Sequence, residues 1–194
     1  MPDTDGQLYL RFLTGNDEDS LRILYEKYNK GLTLFINGIV NNIEDSEDLM
    51  METFAILASG TARYVERRNA SFKTWLFAIG KKQALMFLRK RRFSLTPIEQ
   101  EDVQNQESTE DYQPDYELLQ NERNSMLYQA LKEINSDYSQ VLYLSFFEDM
   151  KPEQISRIMK ISLKQTYNLT ARGKTALKTV LERKGYSWNT SDTL

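Results

Sequence analysis

The chain has 194 residues, 40% of them hydrophobic, and a net charge of −3 at neutral pH. It contains neither cysteine nor histidine, which excludes disulfides, thiolate or imidazole zinc sites, and catalysis by a histidine base or a cysteine nucleophile. No apolar run approaches the roughly 18–20 residues that span a bilayer, and the acidic N-terminus is unlike a signal peptide. We therefore expect no membrane insertion and a cytoplasmic location.

Charge is distributed unevenly along the chain. Residues 61–92 contain ten basic residues and one acidic residue, and residues 151–184 contain nine basic and two acidic residues. Residues 93–122, which lie between these blocks, contain nine acidic residues and no basic one. A single basic block is a solvated surface as often as it is a binding surface. Two such blocks on helical patterns favour binding to a nucleic acid at two places.

Helical periodicity dominates the first half of the chain, and strand signals are poor, so we predict an all-α fold. Asn16 is the predicted N-cap of a helix with one apolar stripe, formed by Leu21, Leu24, Tyr25, Tyr28, Leu32, Phe35 and Ile39. A second helix begins near Asp45 and directs Leu49, Met50, Phe54 and Leu57 inward. A third helix runs from about Phe72 to Arg92.

The periodicity is lost over residues 93–115, which contain two prolines and many Gln, Glu, Asp and Ser residues. This composition is typical of a flexible linker. We therefore predict two small helical domains, residues 1–92 and residues 116–184, joined by this acidic linker and followed by a tail, residues 185–194. Helices are predicted in the second domain over 116–134, 138–147, 152–159 and 163–183.

The third helix has two different faces. At about 100° per residue, one arc holds the apolar residues Phe72, Trp75, Leu76, Ile79, Met86 and Phe87, and another holds the cations Lys81, Lys82, Arg89 and Arg92. Such a basic stripe is suited to lie along a phosphate backbone. Nearby aromatic rings are candidates for stacking on unpaired bases; we expect Phe72 and Trp75 to lie in the core instead. For Phe77, which lies off the apolar arc, a nucleic-acid contact and a helix–helix contact are both open.

The second basic block predicts a helix-turn-helix. Pro152 suits the first turn of a short helix, Lys160-Ile161-Ser162 forms a turn, and Ser162 is a good N-cap for the next helix. The outward arc of that second helix carries amides, hydroxyls and cations, the side chains that read base edges and bind phosphates in a recognition helix: Lys164, Gln165, Tyr167, Asn168, Arg172, Lys174 and Lys178.

Taken in order, these segments resemble the extracytoplasmic-function (ECF) subfamily of the sigma-70 family of RNA polymerase sigma factors. Residues 45–54, Asp-Ser-Glu-Asp-Leu-Met-Met-Glu-Thr-Phe, are similar to the polymerase-binding helix of that family. The Phe-Lys-Thr-Trp-Leu start and Leu-Arg-Lys-Arg-Arg end of residues 72–92 resemble the helix that recognises and melts the −10 promoter element. Residues 130–177 resemble the C-terminal domain, whose helix-turn-helix reads the −35 element.

The resemblance implies a function without catalysis, metal or cofactor. The chain would bind core RNA polymerase and promoter DNA, and an anti-sigma factor is a further candidate partner. The implied polymerase-binding residues are Asp48, Leu49, Glu52 and Phe54. Those implied for the −10 element are Lys81, Lys82, Arg89, Arg92 and Phe77. Those implied for the −35 element are Lys164, Gln165, Tyr167, Asn168, Arg172 and Lys174.

The chain departs from the family pattern at positions that bear on promoter choice. Lys81-Lys82 stand where Arg-Asn is usual, Met86 replaces a frequent Asp, and Gln165-Thr166-Tyr167-Asn168-Leu169 stand where Thr-Val-Lys-Ser-Arg is usual. The promoter sequence is therefore not transferred from the family.

Two other functions compete with this interpretation. A helix-turn-helix regulator that binds operators without polymerase would explain the second domain but leave the basic helix of the first without a role. A metal-dependent enzyme would use the carboxylates of Glu44, Asp45, Glu47, Asp48 and Glu52 as oxygen ligands. Carboxylates are, however, favoured at any helix N-terminus, so this pattern alone indicates no metal site.

Overall fold

The computed structural model describes residues 3–15, 17–65, 71–94 and 122–186. All regular secondary structure within these ranges is helical, which confirms the predicted all-α class. The helices are α1 (Asp5–Gly15), α2 (Glu18–Val40), α3 (Ile43–Ala58), α4 (Phe72–Ser94), α5 (Glu122–Lys132), α6 (Ser136–Phe146), α7 (Pro152–Met159) and α8 (Leu163–Arg183).

Contacts divide the chain into two compact units, Met1–Gln113 and Pro114–Leu194. Helices α1 to α4 pack together in the first unit, and α5 to α8 pack together in the second. The predicted linker, residues 93–115, lies outside the described residues from position 95 onwards. Its boundaries therefore stay a prediction.

Helix α2 is the central element of the first unit and contacts α1, α3 and α4. Its predicted apolar stripe faces inward: Leu24, Tyr28, Leu32 and Phe35 are buried, while the other members are half-buried. The N-cap is Asp17, whose side chain accepts a hydrogen bond from the Ser20 N–H, and not the predicted Asn16, which lies outside the described residues. The cap is thus one residue later than predicted.

Helix α1 was not predicted, although its N-terminus has a recognisable pattern. The Thr4 N–H donates to Gln7 Oε1 at 2.8 Å, and the Gln7 N–H donates to Thr4 Oγ1 at 3.2 Å. This reciprocal pair is a capping box, which satisfies two N–H groups that a helix start otherwise leaves unpaired. Tyr9 of α1 is fully buried, and its hydroxyl donates to the Leu57 carbonyl at 3.1 Å, so α1 is held against the end of α3.

The second unit is centred on the packing of α8 against α6. A Cβ at Gly173 of α8 would lie 3.2 Å from the Leu142 side chain and 3.3 Å from Tyr138 Cβ. The two helices can approach this closely only because Gly173 has no side chain. The resulting core contains the fully buried Leu142 and Leu177, and it leaves the opposite face of α8 exposed.

Candidate nucleic-acid interface

The exposed face of α3 is acidic. Asn42 caps the helix by accepting the Asp45 N–H at 2.9 Å, so the helix starts two residues earlier than predicted. Asp48 and Glu52 lie one turn apart and are exposed. Met51, which the sequence analysis placed on neither face, lies beside them with half of its surface exposed. This face combines two carboxylates with an apolar side chain.

Leu49 and Phe54 of α3 do not belong to that face. Both are buried, and the Phe54 ring contacts the Tyr25 ring of α2 edge-on, with centroids 5.1 Å apart. The prediction that both side chains face inward is confirmed. Their implied contact with RNA polymerase is corrected, because both are buried within the unit. The two side chains hold α3 against the unit and support the position of Asp48 and Glu52 from behind.

An aromatic cluster anchors the start of α4. The rings of Tyr9, Tyr64, Phe72 and Trp75 pack with centroid distances of 5.2 to 6.1 Å. Tyr64 and Phe72 are buried and Trp75 is half-buried. The expected core position of Phe72 is thereby confirmed. Because Tyr64 and Phe72 are both buried, neither ring is available to stack on a base.

Phe77 is also a core residue. Its side chain has no exposed surface, and its ring lies 5.4 Å from that of Phe35 on α2. The sequence left a nucleic-acid contact and a helix–helix contact open for Phe77, and the structure shows the helix–helix contact. The predicted contact between Phe77 and DNA is corrected, because a ring enclosed between α2 and α4 cannot stack on a base without leaving the core.

The basic stripe of α4 lies on the outer surface. Lys82, Arg89 and Arg92 are exposed, and none of them forms a salt bridge with any residue in the described ranges. Lys81 is half-buried, and Arg91 pairs with Asp45 of α3 at 3.9 Å. Lys82 and Arg89 are seven residues apart, which places them on one face about 10 Å from each other along the helix axis.

Exposed apolar side chains lie beside these cations. Their exposure was not predicted from the sequence. Leu85 and Met86 are about half exposed, and Phe93 is 81% exposed. Met86 was expected to face inward, but no residue between 85 and 93 is buried, so this end of α4 extends beyond the core. Leu85, Arg89 and Phe93, together with Leu88 and Arg92, line a groove there.

The helix-turn-helix has the predicted bounds. Pro152 is the first residue of α7, and α8 begins directly after the predicted cap, Ser162. Lys160 ends α7 with φ 55°, and the Ile161 N–H donates to the Ser156 carbonyl at 3.0 Å, which turns the chain sharply. The apolar residues of α7 are buried: Ile155, Ile158 and Met159.

The outer face of α8 carries most of the predicted recognition residues. Lys164, Gln165, Tyr167, Asn168 and Arg172 are all exposed. The two cations, Lys164 and Arg172, have no salt bridge with residues that the structure describes. Leu163 is exposed at the start of the same face and was not predicted.

Lys174 is the exception on α8. It is half-buried, and its Nζ lies 5.8 Å from the centroid of the Phe146 ring of α6. This cation–π contact ties Lys174 to its own unit, and its contact with DNA stays a prediction.

Acidic side chains fix the far end of α8. Glu133, which follows α5, forms salt bridges with Arg183 and with Lys184, the latter at 2.6 Å. The hydrogen bond from Lys184 is the main cause that lowers the pKa of the Glu133 carboxyl below its ordinary value. Lys178 pairs with Glu182 at 3.7 Å. The cations near the C-terminus of α8 are thus neutralised locally, in contrast to those near its N-terminus.

The described ranges hold no group of three or more His, Cys, Asp or Glu side chains arranged to bind a metal ion. The carboxylates of α3 therefore give the metal-enzyme alternative no support from geometry. No helix in the described part of the chain is sufficiently long and apolar to cross a bilayer.

Two family models match the chain. Sigma-70 region 2 matches residues 24–94, which include α3 and α4. Sigma-70 region 4 matches residues 124–177, which include α7 and most of α8. Together they span most of the described residues of both units.

Known proteins agree with these matches. The chain is 25% identical to the RNA polymerase sigma factor YlaC of Bacillus subtilis over 82% of its own length and 91% of that protein. It is 24% identical to the ECF RNA polymerase sigma factor SigX of Bacillus subtilis, with 85% of each chain covered. The solved sigma factor RpoE, in complex with the anti-sigma factor NepR from Bartonella quintana, has the same fold: the TM-score is 0.65 at 18% identity, covering 83% of this chain and 96% of that one. The chain therefore belongs to the sigma-70 family of RNA polymerase sigma factors, within the ECF subfamily.

Proposed function

We propose that three exposed surfaces divide the work of this sigma factor. The acidic face of α3, with Asp48 and Glu52, binds core RNA polymerase. The basic stripe of α4 contacts the −10 element, and the outer face of α8 contacts the −35 element. The observation that supports the DNA surfaces is the set of exposed cations that lack a salt bridge within the described residues: Lys82, Arg89, Arg92, Lys164 and Arg172.

The α4 stripe suits a DNA backbone because its cations follow one line along the helix. A Lys or Arg that neutralises a phosphate releases a condensed counterion, and this release favours binding. The exposed apolar side chains Leu85, Met86 and Phe93 adjoin that line. Unpaired bases offer apolar faces that duplex DNA hides, so this surface binds an opened −10 element better than a closed one.

Promoter opening then follows from differential binding. A protein that binds one of two conformations more tightly shifts the equilibrium towards it, and the work of deforming DNA is offset by the additional contacts that the deformed state allows. No covalent step by this chain is required. The proposed partners, core polymerase and promoter DNA, place the protein in the cytoplasm.

The α8 surface suits the major groove. In a helix-turn-helix the N-terminal residues of the second helix contact base edges, and here that part of α8 carries the exposed Gln165, Tyr167 and Asn168. Lys164 and Arg172 flank them and are placed to bind phosphates on either side. The close packing of α8 on α6 at Gly173 holds this surface rigidly against its unit.

Binding to core polymerase tests the role of α3. Asp48→Asn combined with Glu52→Gln should reduce capture of the full chain by core RNA polymerase at least about tenfold, because paired charges at an interface typically couple by more than about 1.5 kcal/mol. Glu18→Gln, which removes an exposed carboxylate from α2, is the control and should leave capture unchanged. Equal capture of wild type and the double variant would overturn the role of this face.

A regulator that acts without polymerase is the alternative function. Wild-type protein should bind duplex DNA weakly by itself and should give run-off transcripts from particular genomic fragments only after core polymerase is added. Tight, sequence-specific binding to duplex DNA without polymerase would favour the alternative. An anti-sigma factor is a further proposed partner, since RpoE, which has the same fold, was solved in complex with one.

A further inference from the structure

The exposed face of α8 contains two neighbouring rows of side chains. Residues four apart in sequence lie one above the other on a helix and form such rows. One row is polar and consists of residues proposed above to contact DNA: Lys164, Asn168 and Arg172. The other row starts one residue earlier and consists of Leu163, Tyr167 and Ala171. We call this second set the apolar row of α8.

The apolar row lies at the surface of the unit. Leu163 is 38% exposed, Tyr167 is 53% exposed, and Ala171 is exposed as well. The core of the unit is contacted by a different set of α8 residues, which are Thr166, Gly173, Leu177, Val180 and Leu181. A single exposed apolar side chain needs no explanation, but three in one row beside a DNA-binding row indicate a shared apolar partner.

The major groove of DNA offers one apolar group of suitable size, the C5-methyl group of thymine. Adenine, guanine and cytosine carry no methyl group there and are distinguished by hydrogen-bond donors and acceptors. The apolar row extends over eight residues, or about 12 Å along the helix axis, which is the length of about three steps of 3.4 Å along one DNA strand. The row therefore matches the methyl edge of thymine in chemistry and the groove in length.

We propose that the apolar row of α8 selects thymine in the −35 element by burying its C5-methyl group. Leu163 and Tyr167 carry most of this selection, because the N-terminal residues of the second helix in a helix-turn-helix contact base edges. The inference rests on the proposed contact between α8 and the −35 element. It adds which base is selected and which side chains select it, and Leu163 was not among the predicted recognition residues.

Deoxyuridine tests this contact, because it pairs like thymidine and lacks only the methyl group. Promoters are first selected by the full-length protein with core polymerase from a duplex library with a randomised −35 element. Each thymine of the selected element, on either strand, is then replaced by deoxyuridine, and promoter affinity is measured by fluorescence anisotropy. With the wild-type chain, at least one replacement should lower the affinity about fourfold, the loss expected for one buried methyl group.

Substitutions in α8 identify the side chains that contact the methyl group. Leu163→Ala combined with Tyr167→Ala should weaken binding to the thymine promoter and show no further loss with deoxyuridine. Tyr167→Phe removes only the hydroxyl group and should keep the fourfold loss, since the contact is made by carbon atoms. Met126→Ala is the matched control: Met126 on α5 is 37% exposed, much like Leu163, but lies outside the helix-turn-helix, so this variant should also keep the loss.

The outcomes distinguish this inference from the function on which it rests. A selected −35 element without thymine, equal affinity of the wild-type chain for thymine and deoxyuridine at every position, or an undiminished loss in the double variant would each overturn the role of the apolar row and leave the −35 contact in place. If the wild-type chain selects no −35 sequence, the proposed function of α8 fails as well.

Folding of the variants is checked by circular dichroism. The double variant should have the wild-type helix content, because the Ser162 cap and the buried residues of α8 are unchanged. If it unfolds, Leu163→Ala and Tyr167→Ala are measured singly, and at least one of them should abolish the loss with deoxyuridine. A full loss in both single variants would overturn the inference.

Discussion

Removal of the α4 cations should reduce the salt dependence of promoter binding by a defined amount. Lys82 and Arg89 are exposed, lie on one face and are seven residues apart. At about 1.5 Å per residue they are about 10 Å apart along the axis, which matches about three steps of 3.4 Å along one DNA strand. Each can therefore reach a separate phosphate.

The size of the effect follows from counterion release. Each phosphate contact contributes about 0.9 to the slope of log K against log salt, so Lys82→Ala combined with Arg89→Ala should lower the slope by about 1.8. Between about 50 and 200 mM salt, the ratio of wild-type to variant affinity should then shrink about tenfold. Fluorescence anisotropy of labelled promoter DNA with the reconstituted polymerase measures the slope.

The same variants should impair promoter opening. Permanganate reactivity of unpaired thymines should fall in the double variant, while capture by core polymerase stays at the wild-type level. Arg22→Ala removes an exposed cation of α2 that already pairs with Asp19 at 2.8 Å, and it should change neither the slope nor the opening. An unchanged slope in the double variant, or an equal loss with Arg22→Ala, would refute the phosphate contacts.

Three further predictions concern the framework that holds these surfaces. Phe77→Ala should destabilise the first unit by about 3–5 kcal/mol, because it opens a cavity between α2 and α4; a loss below about 1 kcal/mol in denaturant unfolding would contradict the burial of this ring. Gly173→Ala should lower the stability of the second unit by about 1 kcal/mol, since the clash with α6 outweighs the gain in helix propensity. Gly15→Ala, where the added Cβ meets nothing within 4 Å, is the control and should not lower stability. If Gly173→Ala and Gly15→Ala changed Tm equally in thermal melts, the close packing at Gly173 would be contradicted. The pKa of Glu133 is lower in the folded protein than its ordinary value. Its bond to Lys184 therefore stabilises the fold fully at pH values above the ordinary carboxyl pKa. This stabilisation is lost as the pH falls through the lowered pKa of the folded state. Glu133→Gln should therefore lower Tm at neutral pH and match wild type in strong acid, and a difference that persists in acid would refute the ion pair.

Helix bounds were predictable where local chemistry determines them. Pro152 and Ser162 satisfy or remove N–H groups at the starts of α7 and α8, and both helices begin where these residues predict. The same chemistry at Thr4 and Gln7 marks the start of α1. The Thr-x-x-Gln pattern at residues 4–7 is therefore the sequence signal that predicts α1.

Burial on a helix was less predictable, because it depends on neighbours that are distant in sequence. Phe77 lies off the apolar arc of α4 and is buried only because α2 places Phe35 against it. Met86 lies on the apolar arc and is exposed because the core ends at Ala84. The length over which neighbouring helices cover α4 cannot be read from the α4 sequence.

The N-cap of α8 shows a further limit of prediction from the sequence. Gln165 was predicted to face outward on α8, and it is exposed; its contact with DNA stays a prediction, and the structure adds that its oxygen accepts the Ser162 N–H. A residue type indicates which hydrogen bonds are possible, and only the structure indicates which are already made.

Hydroxyl-radical footprinting tests most directly whether two separate surfaces of one chain, the basic stripe of α4 and the outer face of α8, bind the promoter. Reconstituted polymerase with the wild-type chain should protect DNA at both the −35 and −10 elements. Arg172→Ala should weaken only the upstream protection, and Lys82→Ala combined with Arg89→Ala only the downstream one. A single protected region, or equal loss of both regions in either variant, would contradict the account.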